Sequence, residues 1–112
     1  MKEKNKNIDP TTKEIIDVMK NGMGEKMIVE YFIGLNSDSE VKLTSIGYVK
    51  DMKSEYKNEF FDEIYEDENG RIIDLRIYEN KPTDEEMFNL SEYWSELQFK
   101  FKKEVMPYFV IA

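Results

Sequence analysis

Neither cysteine nor histidine occurs anywhere in the 112 residues. Without thiols there is no disulfide framework and no thiolate metal site. Without imidazole the chain lacks the usual general base near neutral pH and the commonest metal ligand. No G-x-S-x-G elbow surrounds a serine, and no glycine-rich loop opens a helix. The pair of glycines in "NGMG" at 21–24 follows an expected helix, on the wrong side for binding phosphate. Carboxylates could still carry acid–base or Mg²⁺ chemistry, but with 24 acidic residues no single pair stands out. The expectation is a protein that is not an enzyme and uses no cofactor or metal; a carboxylate or Mg²⁺-dependent enzyme is kept as an alternative.

Long apolar runs are missing as well. The first residues form no apolar h-region, and no stretch approaches the roughly 18 consecutive apolar residues of a membrane span. A soluble cytoplasmic protein is expected. Arginine is scarce, two against fourteen lysines. Together with frequent Ile and Asn, this bias suits AT-rich coding, as in low-GC bacteria and their phages.

What the chain does have is apolar mass and acid. At 40% hydrophobic, with seven Phe, seven Tyr and seven Met, it can bury one core. The expected organisation is a flexible tail at 1–7, "MKEKNKN", and one globular domain at 8–112. The net charge is −8, and residues 54–97 hold fourteen acidic and four basic side chains, a local −10. Such a surface repels nucleic acid and acidic membranes and attracts basic partners at a rate that falls with salt.

Helix punctuation brackets residues 10–21: Pro10 suits a first turn, Thr11 and Glu14 stand at capping-box spacing, and Gly22 suits the exit. "KMIVEYFIGL" alternates, with Met27, Val29, Tyr31, Ile33 and Leu35 on one face, and "EVKLTSIGYVKDM" alternates through Val41, Leu43 and Val49. Two strands joined by a turn at "NSDS" are expected. "RIIDLRIYE" is a third strand.

Residues 54–66 have two readings. A strand would form a hairpin with 72–79 through a type I′ turn at Asn69-Gly70, placing Glu66 opposite Ile73 and Glu63 opposite Arg76. A four-residue loop would instead oppose Glu63 and Asp74, a like-charge pair costing up to about 1 kcal/mol. A helix would align Tyr56, Phe60 and Ile64. The hairpin is preferred, because "ENGR" and the β-rich composition fit it.

The segment "PTDEEMFNLSEYWSELQFKFKKEVM" begins with a Thr83–Glu86 capping box, carries acids at its start and lysines at its end, and stops at Pro107. Its apolar stripe runs Met87, Leu90, Trp94, Leu97, Phe101 and Val105, and "YFVIA" then adds a short strand or docks. The fold class is therefore α+β: a single antiparallel sheet of three or four strands flanked by an N-terminal helix and a long C-terminal helix, with helices covering one face.

Within this fold "IYEDENGRI" at 64–72 resembles a calcium loop in composition only. With Gly70 at the sixth position of an EF-hand loop, Tyr65 occupies the first and Arg76 the twelfth, where two carboxylates are required. The loop is read as a turn.

The acidic surface is the remaining candidate site: Glu59, Asp62, Glu63, Glu66, Asp67 and Glu68, with Glu85, Glu92 and Glu96 of the last helix. Carboxylates about 6 Å apart along a helix, or about 6.6 Å along a strand, approach the spacing of phosphates on a nucleic-acid strand. This suits an inhibitor or decoy, of phage or mobile-element type, that occupies the basic groove of a nuclease or nucleic-acid-binding protein. Phe88, Phe99, Tyr108 and Phe109 are candidate hydrophobic anchors. The tail could instead cover Phe88 and Phe99, or the four could form a homodimer seam. A homo-oligomeric structural or regulatory domain is the second functional class. Direct nucleic-acid or membrane binding is not expected.

Overall fold

The computed structural model describes residues 10–35, 37 and 40–111, with side chains from residue 13. The expected tail at 1–7, the Thr11 cap and most of the "NSDS" turn lie outside the described residues. Two helices, α1 (Pro10–Met23) and α2 (Glu25–Gly34), precede strands β1 (Thr44–Tyr48), β2 (Glu63–Glu66) and β3 (Ile72–Tyr78). Helix α3 (Asp84–Phe101) and strand β4 (Val105–Ile111) complete the chain. The sheet has the order β1-β2-β3-β4. The fold is α+β as expected, but the sheet is mixed: β1–β2 and β2–β3 are antiparallel, and β4 runs parallel to β3.

The parallel pair puts helices on both faces of the sheet, not one. All seven residues of β3 are buried. Ile73, Leu75 and Ile77 pack with Ile16 of α1 and Ile28, Val29 and Ile33 of α2. Ile72, on the opposite face, packs with Tyr93 and Leu97 of α3. A strand buried on both faces reads as a near-continuous apolar run, and "IIDLRIY" does except at Asp74 and Arg76.

Segment 25–34 is a helix, not the expected strand. Gly24, at φ 80, breaks the chain between α1 and α2. Ile28, Val29 and Ile33 are buried with Phe32 packed beside them, an i, i+1, i+4, i+5 pattern. Met27, Tyr31 and Leu35, three of the five residues of the expected strand face, are exposed. Six of the ten residues here are large and apolar, enough to fit both periods, and packing against the sheet selected the helical one. β1 accordingly pairs with β2, with a bulge between Ser45 and Gly47. Gly47 lies under Phe101: a Cβ there would approach Phe101 Cζ to 3.0 Å.

The hairpin forms in a register different from both candidates. Glu66 faces Ile72 and Tyr65 faces Ile73. Only Gly70 of the turn has positive φ, 75°. Gly70 N–H donates to Asp67 O and Asp67 N–H to Arg71 O, closing a three-residue loop in which a type I turn is followed by a left-handed glycine. Asp67 decides this geometry. Its Oδ1 accepts from the N–H of Asn69 and of Arg71, both at 2.9 Å, and its Oδ2 pairs with the Arg71 guanidinium at 3.1 Å. β2 pairs with β3 for only two residues. Residues 54–62 form neither a helix nor a strand.

α3 starts with the expected capping box, Thr83 N–H to Glu86 Oε1 at 2.9 Å and Glu86 N–H to Thr83 Oγ1 at 3.1 Å. It ends earlier than expected, at Phe101, where Lys102 adopts the left-handed conformation at φ 57. Val105, expected on the helix stripe, is therefore in β4, and Pro107 is a strand residue. Ile72 N–H donates to Glu104 O. In a parallel ladder alternate residues turn their backbone groups to the same neighbour, so Pro107 faces the outer edge, where its missing N–H breaks no bond.

The turn assignment predicts that Asp67→Ala lowers stability by about 1–2 kcal/mol, through loss of two backbone partners and the Arg71 pair. Asn69→Ala, at a position with negative φ, stays within about 0.5 kcal/mol of wild type. Urea midpoints at constant m-value check both.

Candidate protein-interaction surface

At the centre of β3, Asp74 and Arg76 point to the α3 face and are 3% and 0% exposed. Arg76 Nε donates to Asp74 Oδ2 at 3.1 Å and Nη2 to Tyr56 O at 2.7 Å. The guanidinium lies 5.3 Å from the Tyr93 ring centroid, a cation–π contact, while Nη1 lacks a hydrogen-bond partner among the described residues. Asp74 also accepts from Trp94 Nε1 at 2.7 Å and Asn58 Nδ2 at 2.8 Å. The single tryptophan, expected as plain core, is thus amphipathic: its ring packs on Phe109 and its N–H holds a buried carboxylate.

Asn58 organises the segment between β1 and β2. Its amide also donates to Leu75 O at 2.9 Å, and its carbonyl accepts from Phe60 and Phe61 N–H at 2.8 and 3.1 Å. The side chain thereby occupies part of the β3 edge that short β2 leaves open. Other straps fix the rest of the segment. Glu96 accepts from Lys53 and Ser54 N–H at 2.7 and 2.9 Å, and Glu92 from Ser54 Oγ at 3.3 Å. Lys20 Nζ donates to Phe60 O at 2.9 Å. Glu25, the first residue of α2, accepts from Asp62 and Glu63 N–H and from the Tyr65 hydroxyl.

Several carboxylates expected on a partner surface are therefore engaged within the fold. Glu96 and, more weakly, Glu92 anchor residues 53–54. Glu63 accepts from Ser45 Oγ at 2.8 Å and from Tyr65. Glu66 Oε2 is 3.0 Å from Lys103 Nζ, paired by charge though not aligned as a hydrogen bond. Asp67 is held within the turn. Glu59 and Asp62 line a groove of ≈ 730 Å³ that also contains Lys13, Lys50 and Lys57, so its charge is mixed. Glu68 is exposed at the hairpin tip. The expected continuous field divides into separate groups. Only the Glu92–Glu96 face and the start of the 54–67 segment are brought together.

The aromatic candidates divide too. Tyr108 packs beside the α1–α2 core, and the Phe109 ring lies tilted against Tyr78, centroids 5.7 Å apart, and edge-on to Trp94 at 6.4 Å. Neither is a free anchor. The tail is strand β4 and does not cover Phe88 and Phe99, which are each 77% exposed. At 100° per residue these two lie about 20° apart around α3, with Glu92 and Glu85 within about 60° of Phe88 on the same side. Along the axis they are separated by about 16 Å. Lys102 Nζ lies 4.3 Å from the Phe99 ring centroid and bounds this face at its C-terminal end. No lysine or arginine occurs between residues 83 and 97.

The missed residues Asn58, Asp74, Arg76 and Glu25 carry the polar framework. One signal was available: two opposite charges two residues apart within an apolar run share one face of a strand. Among the described residues, no group of three acidic side chains could hold a metal ion, and no helix is long and apolar enough to cross a membrane. Compared with known proteins, the chain matches no family model, no curated protein and no solved structure.

Three buried phenols share this framework. Burial is the main cause that raises the pKa of Tyr65, Tyr78 and Tyr93. Glu25 adds to the shift at Tyr65 and Asp74 at Tyr78 and Tyr93, while Arg76 opposes it at the latter two. Because these groups stay protonated in the folded state after the unfolded chain begins to ionise near pH 10, their contribution is complete below that pH and is lost as pH rises above it. A tyrosinate titration at about 295 nm should show three of the seven tyrosines ionising only together with cooperative alkaline unfolding.

Proposed function

We propose that this chain is a non-enzymatic, cytoplasmic interaction protein that presents the outer face of α3 to a basic protein surface, and that it inhibits a nuclease or another nucleic-acid-binding protein by occupying its groove. The observation that carries this reading is the pair Phe88 and Phe99, each 77% exposed on the same side of one helix as Glu85 and Glu92. Carboxylates steer a basic partner and set the association rate, but affinity needs anchors that become buried. Two phenylalanines about 16 Å apart supply them for docking of a helix in a groove.

The reading is narrower than a phosphate decoy spread over residues 54–67 and α3. Carboxylates that accept backbone N–H bonds in the fold, such as Glu96 and Asp67, are unsuited to docking, since a partner would have to break those bonds. The charge that remains for steering is on Glu85, Glu92 and the outer part of the acidic segment.

The test is affinity capture with identification by mass spectrometry. A basic protein should be retained at about 50 mM salt and released near 500 mM. Phe88→Ala with Phe99→Ala should accelerate dissociation, and Glu85→Lys with Glu92→Lys should slow association, without lowering the melting temperature appreciably in the first pair. Retention of no basic partner, or of one indifferent to both pairs of changes, would contradict the proposal.

A further inference from the structure

The face of the molecule opposite α3 is apolar as well as exposed. Val18 is 70% exposed, Leu35 60%, Met27 56%, Ile15 55% and Tyr31 53%. Ile15 and Val18 lie three apart on α1; Met27, Tyr31 and Leu35 lie four apart along α2, so each set forms a row on its helix. Apart from the exposed Lys26, the outer side of α2 is largely apolar. Its inner residues Ile28, Val29 and Ile33 are in the core, and Glu25 and Glu30 are both engaged, Glu30 accepting from Leu43 N–H at 2.8 Å. A helix of that character is normally covered on both sides.

We infer that a second copy of this chain covers it, the α1–α2 pairs of two copies packing against each other in a symmetric dimer. Charge selects this occupant. Residues 10–35 carry four acidic and three basic side chains, against the −10 of residues 54–97. Four of these seven are in local ion pairs, Lys13 with Asp17 at 3.6 Å, Lys20 with Asp17 at 3.5 Å and with Glu25 at 3.9 Å, while Glu14 and Lys26, of opposite sign, are exposed. Two copies of net charge −8 repel each other, and of the two exposed apolar faces, this one and that of α3, they approach more easily through this one, which is close to neutral. An anionic membrane is repelled by the rest of the molecule, and a basic partner finds no excess of acid here. Burying two rows of large side chains from each copy supplies the driving force, and the two-fold arrangement satisfies both faces with one contact.

The sheet separates this face from α3, since α1 and α2 pack on one side of β3 and α3 on the other. Dimerisation therefore leaves both α3 faces free. The oligomer seam is placed on α1–α2, away from the Phe88 and Phe99 seam considered from the sequence.

Sedimentation velocity of the full chain over about 1–200 µM tests this, with about 1.4 kcal/mol per tenfold change in dissociation constant. A dimer is expected within that range, with Tyr31→Glu and, separately, Val18→Glu weakening it at least tenfold and Phe88→Ala with Phe99→Ala leaving it unchanged. Both charged substitutions are at exposed positions, and unchanged helical circular dichroism confirms that the variants fold. A milder Tyr31→Gln should give an intermediate effect. A monomer at about 200 µM, a dimer disrupted only by the α3 changes, or binding of the monomer to zwitterionic lipid vesicles would overturn the inference.

Discussion

Arg76 has no route to solvent, and its charge has to be balanced where it stands. Moving such an ion from water into a protein interior costs several kcal/mol even after relaxation, and one carboxylate recovers that only with good geometry and further hydrogen bonds. Asp74 supplies the charge and the Tyr56 carbonyl a second acceptor, with the Tyr93 ring facing the cation. Asp74 in turn is held by Trp94 from α3 and by Asn58 from the segment between β1 and β2. One ion pair in the middle of β3 thus binds two separate parts of the chain, α3 and the segment between β1 and β2, to the same point.

This explains why residues 54–62 can be ordered without regular structure. A segment that is neither helix nor strand must satisfy its backbone groups elsewhere, and here side chains do so: Asn58, Glu96, Glu25, Lys20 and Arg76 each hold one or two of them. Much of the acid that looks like surface charge is accordingly part of this framework. What is left outside it is the outer face of α3, where Phe88 and Phe99 remain in solvent, and the near-neutral apolar outer face of α1 and α2.

The sequence made some of this legible. The capping box of α3, the start of α1, the strand character of 72–78 and the α+β class follow from local signals that tertiary packing reinforces. The register of the hairpin did not, because the Asp67 side chain, not the Asn-Gly pair, determines the turn. α2 is not legible as a helix because its apolar residues, at 27–29 and 31–33, satisfy a period of two and a period of 3.6 at once. The parallel placement of β4 was also hidden: Pro107 looked like a helix stop, yet it is accommodated at an outward position of an edge strand. The acidic surface was legible as composition but not as a site, since charge in a sequence does not reveal which carboxylates meet a backbone N–H. Phe88 and Phe99 were legible as residues off the core stripe of the helix, and they stay exposed.

The dependence on the Asp74–Arg76 pair is tested most directly by a double-mutant cycle read by urea unfolding, using Asp74→Leu, Arg76→Met and the two together. Each single change leaves an uncompensated buried group and should cost about 3–5 kcal/mol, while the double variant should lose far less than the sum because neither charge is then stranded. Additive losses, or single variants within about 1 kcal/mol of wild type, would show that the pair is not what holds Trp94, Asn58 and Tyr56 in place.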